Sequence, residues 1–175
     1  SIHFEQNLMK EVVGSQDQTS ASFGGFNKII FKKNNSISVK RISSNKNLKK
    51  LNDNLLLIYT GINRTAHKIA NQYVNKLTTA KKQNIKKILT YVKDAEYILK
   101  YGDIDDFGLL LNDAWMEKKA LSNLITNSKI NDIYDDAIIN GALGGKLLGA
   151  GGGGFLLMYM KKRDREKFLK KNKKL

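Results

Sequence analysis

Apolar residues change period several times along this chain, and each change marks an element. Residues 2–13 carry Ile2, Leu8, Met9, Val12 and Val13 at helical spacing and stop at Gly14, where a glycine commonly closes a helix. Residues 16–26 are small and polar, contain Gly24 and Gly25, show no period, and predict a loop. Two β-type runs, 28–31 and 37–42, flank Lys33-Asn34-Asn35 and predict a hairpin. Residues 43–54 are rich in Lys and Asn and predict a linker between two packed units. The continuous apolar run 55–59 then reads as a buried strand ending in Thr60-Gly61.

From 64 to 100, Ala66, Ile69, Ala70, Tyr73, Leu77, Ile85, Ile88, Leu89, Val92, Ala95 and Leu99 predict one or two amphipathic helices with a break near 78–82. A further helical block spans 103–124, with Phe107, Leu110, Leu111, Trp115 and Leu121 turned inward. Its surface is acidic early and basic late, which complements the helix dipole. A helix over 131–140, a glycine tract, a strand over 155–160 and a basic helix complete the pattern. No repeat of 20–50 residues is present. The order predicts an α+β protein with helices packed on an antiparallel sheet.

Composition narrows the function classes. The 175 residues, 41% hydrophobic and 27% charged, suit a globular chain with one main core. No cysteine is present, which excludes disulfides, thiolate metal sites and cysteine nucleophiles, and points to the cytoplasm. No apolar run approaches the roughly 20 residues of a spanning helix, and nothing reads as a signal peptide, so no membrane partner is expected. The net charge of +15 favours anionic ligands. Its lysines are spread over 28–50, 76–100 and 161–174 and read mainly as a solvated exterior, so nucleic acid is not the expected partner. Ser1 in place of an initiator Met, and a stop within a Lys-rich helix, read as cut ends.

The densest chemical signal is 141–154, which holds eight of the fourteen glycines. Glycine runs let successive N–H groups turn toward one concavity, where phosphate binds; the alternative is a tight helix-to-strand turn. Gly149, Gly151 and Gly154 match G-x-G-x-x-G, but the tract opens a strand rather than a helix, so a dinucleotide fingerprint is excluded. Leu147 after Lys146 excludes a Walker loop. In Gly14-Ser15-Gln16-Asp17-Gln18 the carboxylate of Asp17 can orient or deprotonate an attacking hydroxyl, or can simply cap a turn. Arg64, after the strand, can grip a phosphate bidentately or form a salt bridge at a helix start. His3 and His67 have no carboxylate or histidine cluster at ligand spacing, and Trp115 reads as core.

Three segments in this order, Gly14-Ser-Gln-Asp-Gln-Thr-Ser-Ala-Ser-Phe-Gly-Gly-Phe-Asn27, Tyr59-Thr-Gly-Ile-Asn-Arg64 and 141–155, resemble the GHMP small-molecule kinases. Gln-Asp-Gln, Phe-Gly-Gly-Phe-Asn and Thr-Gly-x-x-Arg resemble its heptose 7-phosphate kinases more than its galactokinases or mevalonate kinases. The resemblance implies that residues 1–45 are the end of a ribosomal-S5-like N-terminal domain and that 46–175 are a ferredoxin-like C-terminal domain. It implies ATP and Mg²⁺ as cofactors, and transfer of the γ-phosphate to the anomeric hydroxyl of D-glycero-D-manno-heptose 7-phosphate, giving the 1,7-bisphosphate used for surface polysaccharide. Asp17 would then be the catalytic group and Glu5 the metal ligand, although Glu5 can also be an exposed helix carboxylate. Gln16, Gln18, Thr60 and Arg64 would contact the sugar phosphate, and Gly149, Ala150, Gly151, Gly152 and Gly153 would shape the site.

The family's Pro-x-x-x-Gly-Leu-x-Ser-Ser-Ala phosphate loop is absent, and the chain has no proline. The resemblance therefore implies a partner, the missing N-terminal half, without which little ATP chemistry is expected. The alternatives are another sugar of the galactose or fucose type, or a silent basic fragment binding an anionic partner.

Overall fold

The computed structural model describes residues 2–9, 14–42, 46–63 and 79–172. Two compact units divide the chain, 1–45 and 46–175. Among the described residues no helix is long and apolar enough to cross a membrane.

In the first unit, a π-helical turn covers Phe4–Leu8 and is closed by Met9 N–H on the Phe4 carbonyl at 2.9 Å. The predicted loop over 16–26 is mostly a helix, α1, spanning Gln16–Phe23. Its sequence QDQTSASF has no apolar stripe, so periodicity could not reveal it. Gly24, at φ +57°, ends it with an N–H bond to the Ser20 carbonyl at 3.0 Å. Strands β1 (Asn27–Phe31) and β2 (Ile37–Arg41) then form the expected antiparallel hairpin, Asn27 opposite Arg41 and Phe31 opposite Ile37. Asn34 Oδ1 accepts from Ser36 N–H and Oγ in the turn, where Asn35 takes the left-handed conformation at φ 60°.

The predicted linker over 43–54 holds the helix that opens the second unit, α2, at Lys46–Asn54. Only Leu51 and Asn54 are buried on it, so its apolar signal is one residue deep. Asn54 donates to the Tyr159 hydroxyl at 2.9 Å, and Asn47 donates to the carbonyls of Ile98 and Gly102. Strand β3 follows at Leu55–Tyr59. Helices α3 (Thr79–Tyr101), α4 (Ile104–Lys119) and α5 (Ser128–Ile139) come next, the last two capped by Asp103 and Asn127 side chains on the N–H groups of Asp105 and Ile130. Strands β4 (Ala142–Leu147) and β5 (Phe155–Met160) and helix α6 (Lys162–Lys171) complete the unit.

The sheet order is β3-β5-β4, antiparallel throughout. This is the α+β arrangement that the pattern predicted. Its core joins Leu147, Leu156, Met158 and Met160 from the sheet to Trp115, Ile125, Ile130, Tyr134 and Phe168 from the helices and the α4–α5 connection. Burying each large side chain contributes about 1.5–3 kcal/mol.

The glycine tract differs from the expected loop between a helix and a strand. Its first half is strand β4, so the glycine-rich loop lies between two antiparallel strands, not between a helix and a strand. A Cβ on Gly144 would lie 2.1 Å from the Gly108 carbonyl, so α4 approaches β4 as closely as it does only because that atom is missing. Pattern reading assigns such glycines to a loop, because they are poor strand formers.

Candidate active site

In the first unit, α1 carries Gln16, Asp17 and Gln18 in its first turn. Asp17 and Gln16 are exposed, and a carboxylate at this position complements the helix dipole. Gln18 is part-buried, and its Nε2 donates to Glu5 Oε2 on the π-helical turn. That bond fixes the amide orientation and leaves Gln18 Oε1 buried without a partner among the described residues. Thr19, 5% exposed, locks the turn by donating its hydroxyl to the Ser15 carbonyl at 2.6 Å. An open cavity of about 330 Å³ lies beside Gln18 and Thr19, lined also by Ile2, His3 and Phe23. The fold thus brings Glu5 and Gln18, thirteen residues apart, into one hydrogen bond beside a cleft.

In the second unit the β4–β5 loop is held from three sides. Leu148 N–H bonds the Phe155 carbonyl, Gly152 N–H the Ile125 carbonyl at 2.8 Å, and Gly154 N–H the Ile62 carbonyl at 3.0 Å. Gly151, at φ +118°, has no room for a Cβ, which would meet Ile125 Cα at 2.8 Å. Thr60 is 1% exposed, and both its N–H and its hydroxyl donate to the Gly154 carbonyl, at 2.9 and 2.8 Å. Its place is therefore under the loop, as a support for Gly154. The N–H groups of Gly149, Ala150, Gly151 and Gly153 have no acceptor among the described residues. Arg64 lies outside the described residues.

Sequence reasoning passed over Lys118. This α4 residue is part-buried three positions after Trp115, and its Nζ donates to the carbonyls of Gly149 at 2.6 Å and Leu147 at 3.2 Å. Burial, reinforced by the charge of Lys146, pushes its pKa down to about 8. Burial also lowers the pKa of Lys146 itself. A lysine continuing the inward face of a helix beyond a tryptophan was the available signal.

The family of GHMP kinases C terminal domains matches residues 82–174. The D-glycero-alpha-D-manno-heptose 7-phosphate kinase of Campylobacter jejuni is 32% identical over 165 residues, 91% of this chain and 48% of that protein. In fold, the chain resembles the crystal structure of L. major mevalonate kinase in complex with R-mevalonate, with a TM-score of 0.71, 24% identity and coverage of 90% of this chain and 47% of that one. It also resembles a D-glycero-D-manno-heptose 1-phosphate kinase from Bacteroides thetaiotaomicron, with a TM-score of 0.69, 22% identity and coverage of 99% and 46%. The chain spans about half the length of each of these three proteins.

Proposed function

The chain belongs to the GHMP kinases, and on that premise we propose that it forms part of an ATP-dependent kinase for D-glycero-D-manno-heptose 7-phosphate. The observation that carries the substrate is the 32% identity over 165 residues to a heptose 7-phosphate kinase. In the proposed reaction the anomeric oxygen attacks the γ-phosphorus of ATP, a new O–P bond forms, ADP leaves, and the hydroxyl proton passes to the Asp17 carboxylate. Gln16 and Gln18 would hold sugar hydroxyls, and Arg64 would take the 7-phosphate.

Mg²⁺ fits the donor set, since it is usually held by one or two carboxylates together with substrate phosphates, and Glu5 supplies one carboxylate oriented by Gln18. Bound there, it would neutralise phosphate charge. In the second unit, the β4–β5 loop, supported by Thr60, would present main-chain donors to phosphate. These 175 residues contain no proline and no Gly-Leu-x-Ser-Ser-Ala segment, so the activity proposed is that of an assembly in which a phosphate loop is also present. We place it in the cytoplasm, where ATP is supplied.

The test supplies the chain with the phosphate-loop half of a heptose 7-phosphate kinase and follows ADP release and 1-phosphate formation. Heptose 7-phosphate should be preferred over galactose and fucose, and Asp17→Asn should lower kcat by about 10²–10⁴-fold. Preference for galactose or fucose would remove the substrate, and no transfer to any sugar would remove the kinase reading. In that last case, binding of an anionic polymer that weakens steeply with salt would support a silent basic fragment, to which the net charge of +15 lends itself.

A further inference from the structure

The Phe23-Gly24-Gly25-Phe26-Asn27 segment has no task in the proposed reaction, yet it builds a seat for one side chain. Gly24 ends α1 at φ +57°, and the Asn27 amide donates to its carbonyl at 2.8 Å. The Phe26 carbonyl accepts from Ile42 N–H at 2.9 Å, which ties this turn to the end of β2. Arg41, opposite Asn27 in the ladder, lays its guanidinium against Gly25. A Cβ on Gly25 would stand 3.3 Å from Arg41 Nη2, 3.4 Å from Nε and 3.6 Å from Cζ. With φ at +71°, the backbone there also favours glycine, so conformation and the packed guanidinium make the same demand.

Arg41 is exposed, and its guanidinium has no hydrogen bond or ion pair among the described residues. The described part of the first unit holds two carboxylates, Glu5, bonded to Gln18, and Asp17, in the first turn of α1. A permanently charged fork without a carboxylate partner is open to an anion. Side chains alternate along a strand, so Arg41 shares one face of the hairpin with Ile37, which lines the cleft beside α1. The helical wall of that cleft runs through Gln18, Thr19, Ser22 and Phe23, up to the residue before Gly24. Space is open at the turn, since a Cβ on Gly24 would meet nothing within 4 Å. Asp17 near one end of α1 and Gly25 beyond the other are separated by roughly 12 Å at about 1.5 Å per residue.

We infer that Arg41, seated on Gly25, selects the substrate by gripping the phosphate of the sugar phosphate. Position favours that phosphate over those of ATP. The transferring phosphoryl group meets the hydroxyl at Asp17, whereas a guanidinium about a helix length away meets a phosphate that does not react. In heptose 7-phosphate the anomeric hydroxyl and the phosphate stand at opposite ends of the molecule. A guanidinium can hold such a group bidentately, and Arg41 does so from the first unit, in addition to Arg64. This role rests on the kinase reading for the identity of the ligand, and on the first unit alone for the site.

The experiment joins the chain to the phosphate-loop half of a heptose 7-phosphate kinase and measures KM for D-glycero-D-manno-heptose 7-phosphate and for ATP separately. Arg41→Met should raise KM for the sugar phosphate about ten- to hundredfold, with KM for ATP and kcat little changed. Arg41→Lys, which replaces the fork by a point charge, should fall between wild type and Arg41→Met. Lys33→Met removes the same charge from the exposed hairpin turn and should change neither KM. An unchanged KM for the sugar phosphate in Arg41→Met, a rise for ATP alone or for both substrates equally, or a fall in kcat alone overturns the assignment. Should Arg41→Met fail to fold, Arg41→Lys decides, since its KM for the sugar phosphate should still exceed that of wild type. Normal turnover with wild-type KM in both variants would keep the kinase and remove this site. If the joined halves phosphorylate no sugar, the kinase reading fails by itself, and the site is judged by calorimetric titration of the full chain with heptose 7-phosphate and with unphosphorylated D-glycero-D-manno-heptose. Binding that needs both the phosphate and Arg41 keeps it; binding indifferent to either, or none, removes it.

Discussion

Lys118 shows how much one residue's surroundings change its chemistry. Lysine is ordinarily charged throughout the neutral range, yet here burial brings its pKa to about 8. The charged group that acts on it is Lys146 from β4, while Glu117, its neighbour in sequence, is held by Lys87. In the unfolded chain Lys118 keeps the ordinary higher value, so between about pH 8 and the lysine range the unfolded state binds more protons. Stability of the ligand-free protein should therefore rise as pH climbs through that window. Urea midpoints at pH 7.5 and 9.5 measure this, and Lys118→Met should flatten the rise. An equal rise in the variant would mean that Lys118 titrates normally. Gln18 is the counterpart in the first unit: its polar character was plain, but its bond to Glu5 and its orphaned oxygen arise only when α1 meets the π-helical turn.

At the scale of elements, α2 carries the clearest disagreement between pattern and structure. KNLKKLNDN offers little that looks buried, and its helix is stabilised by Leu51, 2% exposed, and by Asn54 on Tyr159. Tyr159 in turn donates to Asp105, which is paired with Lys161 at 2.6 Å. Leu51→Ala should cost about 2–5 kcal/mol in urea denaturation, the range for truncating a buried leucine. A loss under about 0.5 kcal/mol, typical of an exposed linker, would show that the helix does not pack. The β4–β5 connection carries the same lesson. Glycines read as one long loop divide into strand positions, where they admit α4, and loop positions, where Ile125, Ile62 and Thr60 pin the main chain.

On the scale of the whole molecule, the two units differ in kind. Every residue of the main buried cluster belongs to 46–175, while the first unit holds a short helix and a hairpin with Ile30, Phe31 and Phe23 exposed. Residues 46–175 expressed alone should therefore unfold in one cooperative transition, seen by fluorescence of Trp115, the single tryptophan. A broad, non-cooperative change would mean that the cluster depends on 1–45.

Much of this was open to a reader of the sequence. The α+β class, the hairpin, strands β3 and β5 and the long helices follow from apolar spacing, because burial imposes a period on whatever lies against a core. Family membership was carried by three short motifs in order, and the 82–174 match agrees with it. The hidden elements were those whose stability does not come from a period. Helix α1 has no apolar stripe, α2 has one buried leucine, and β4 has glycines where a strand usually has branched side chains. For these, and for the shifted lysines and the Glu5–Gln18 bond, only tertiary structure decided, since burial and partnership depend on neighbours distant in sequence.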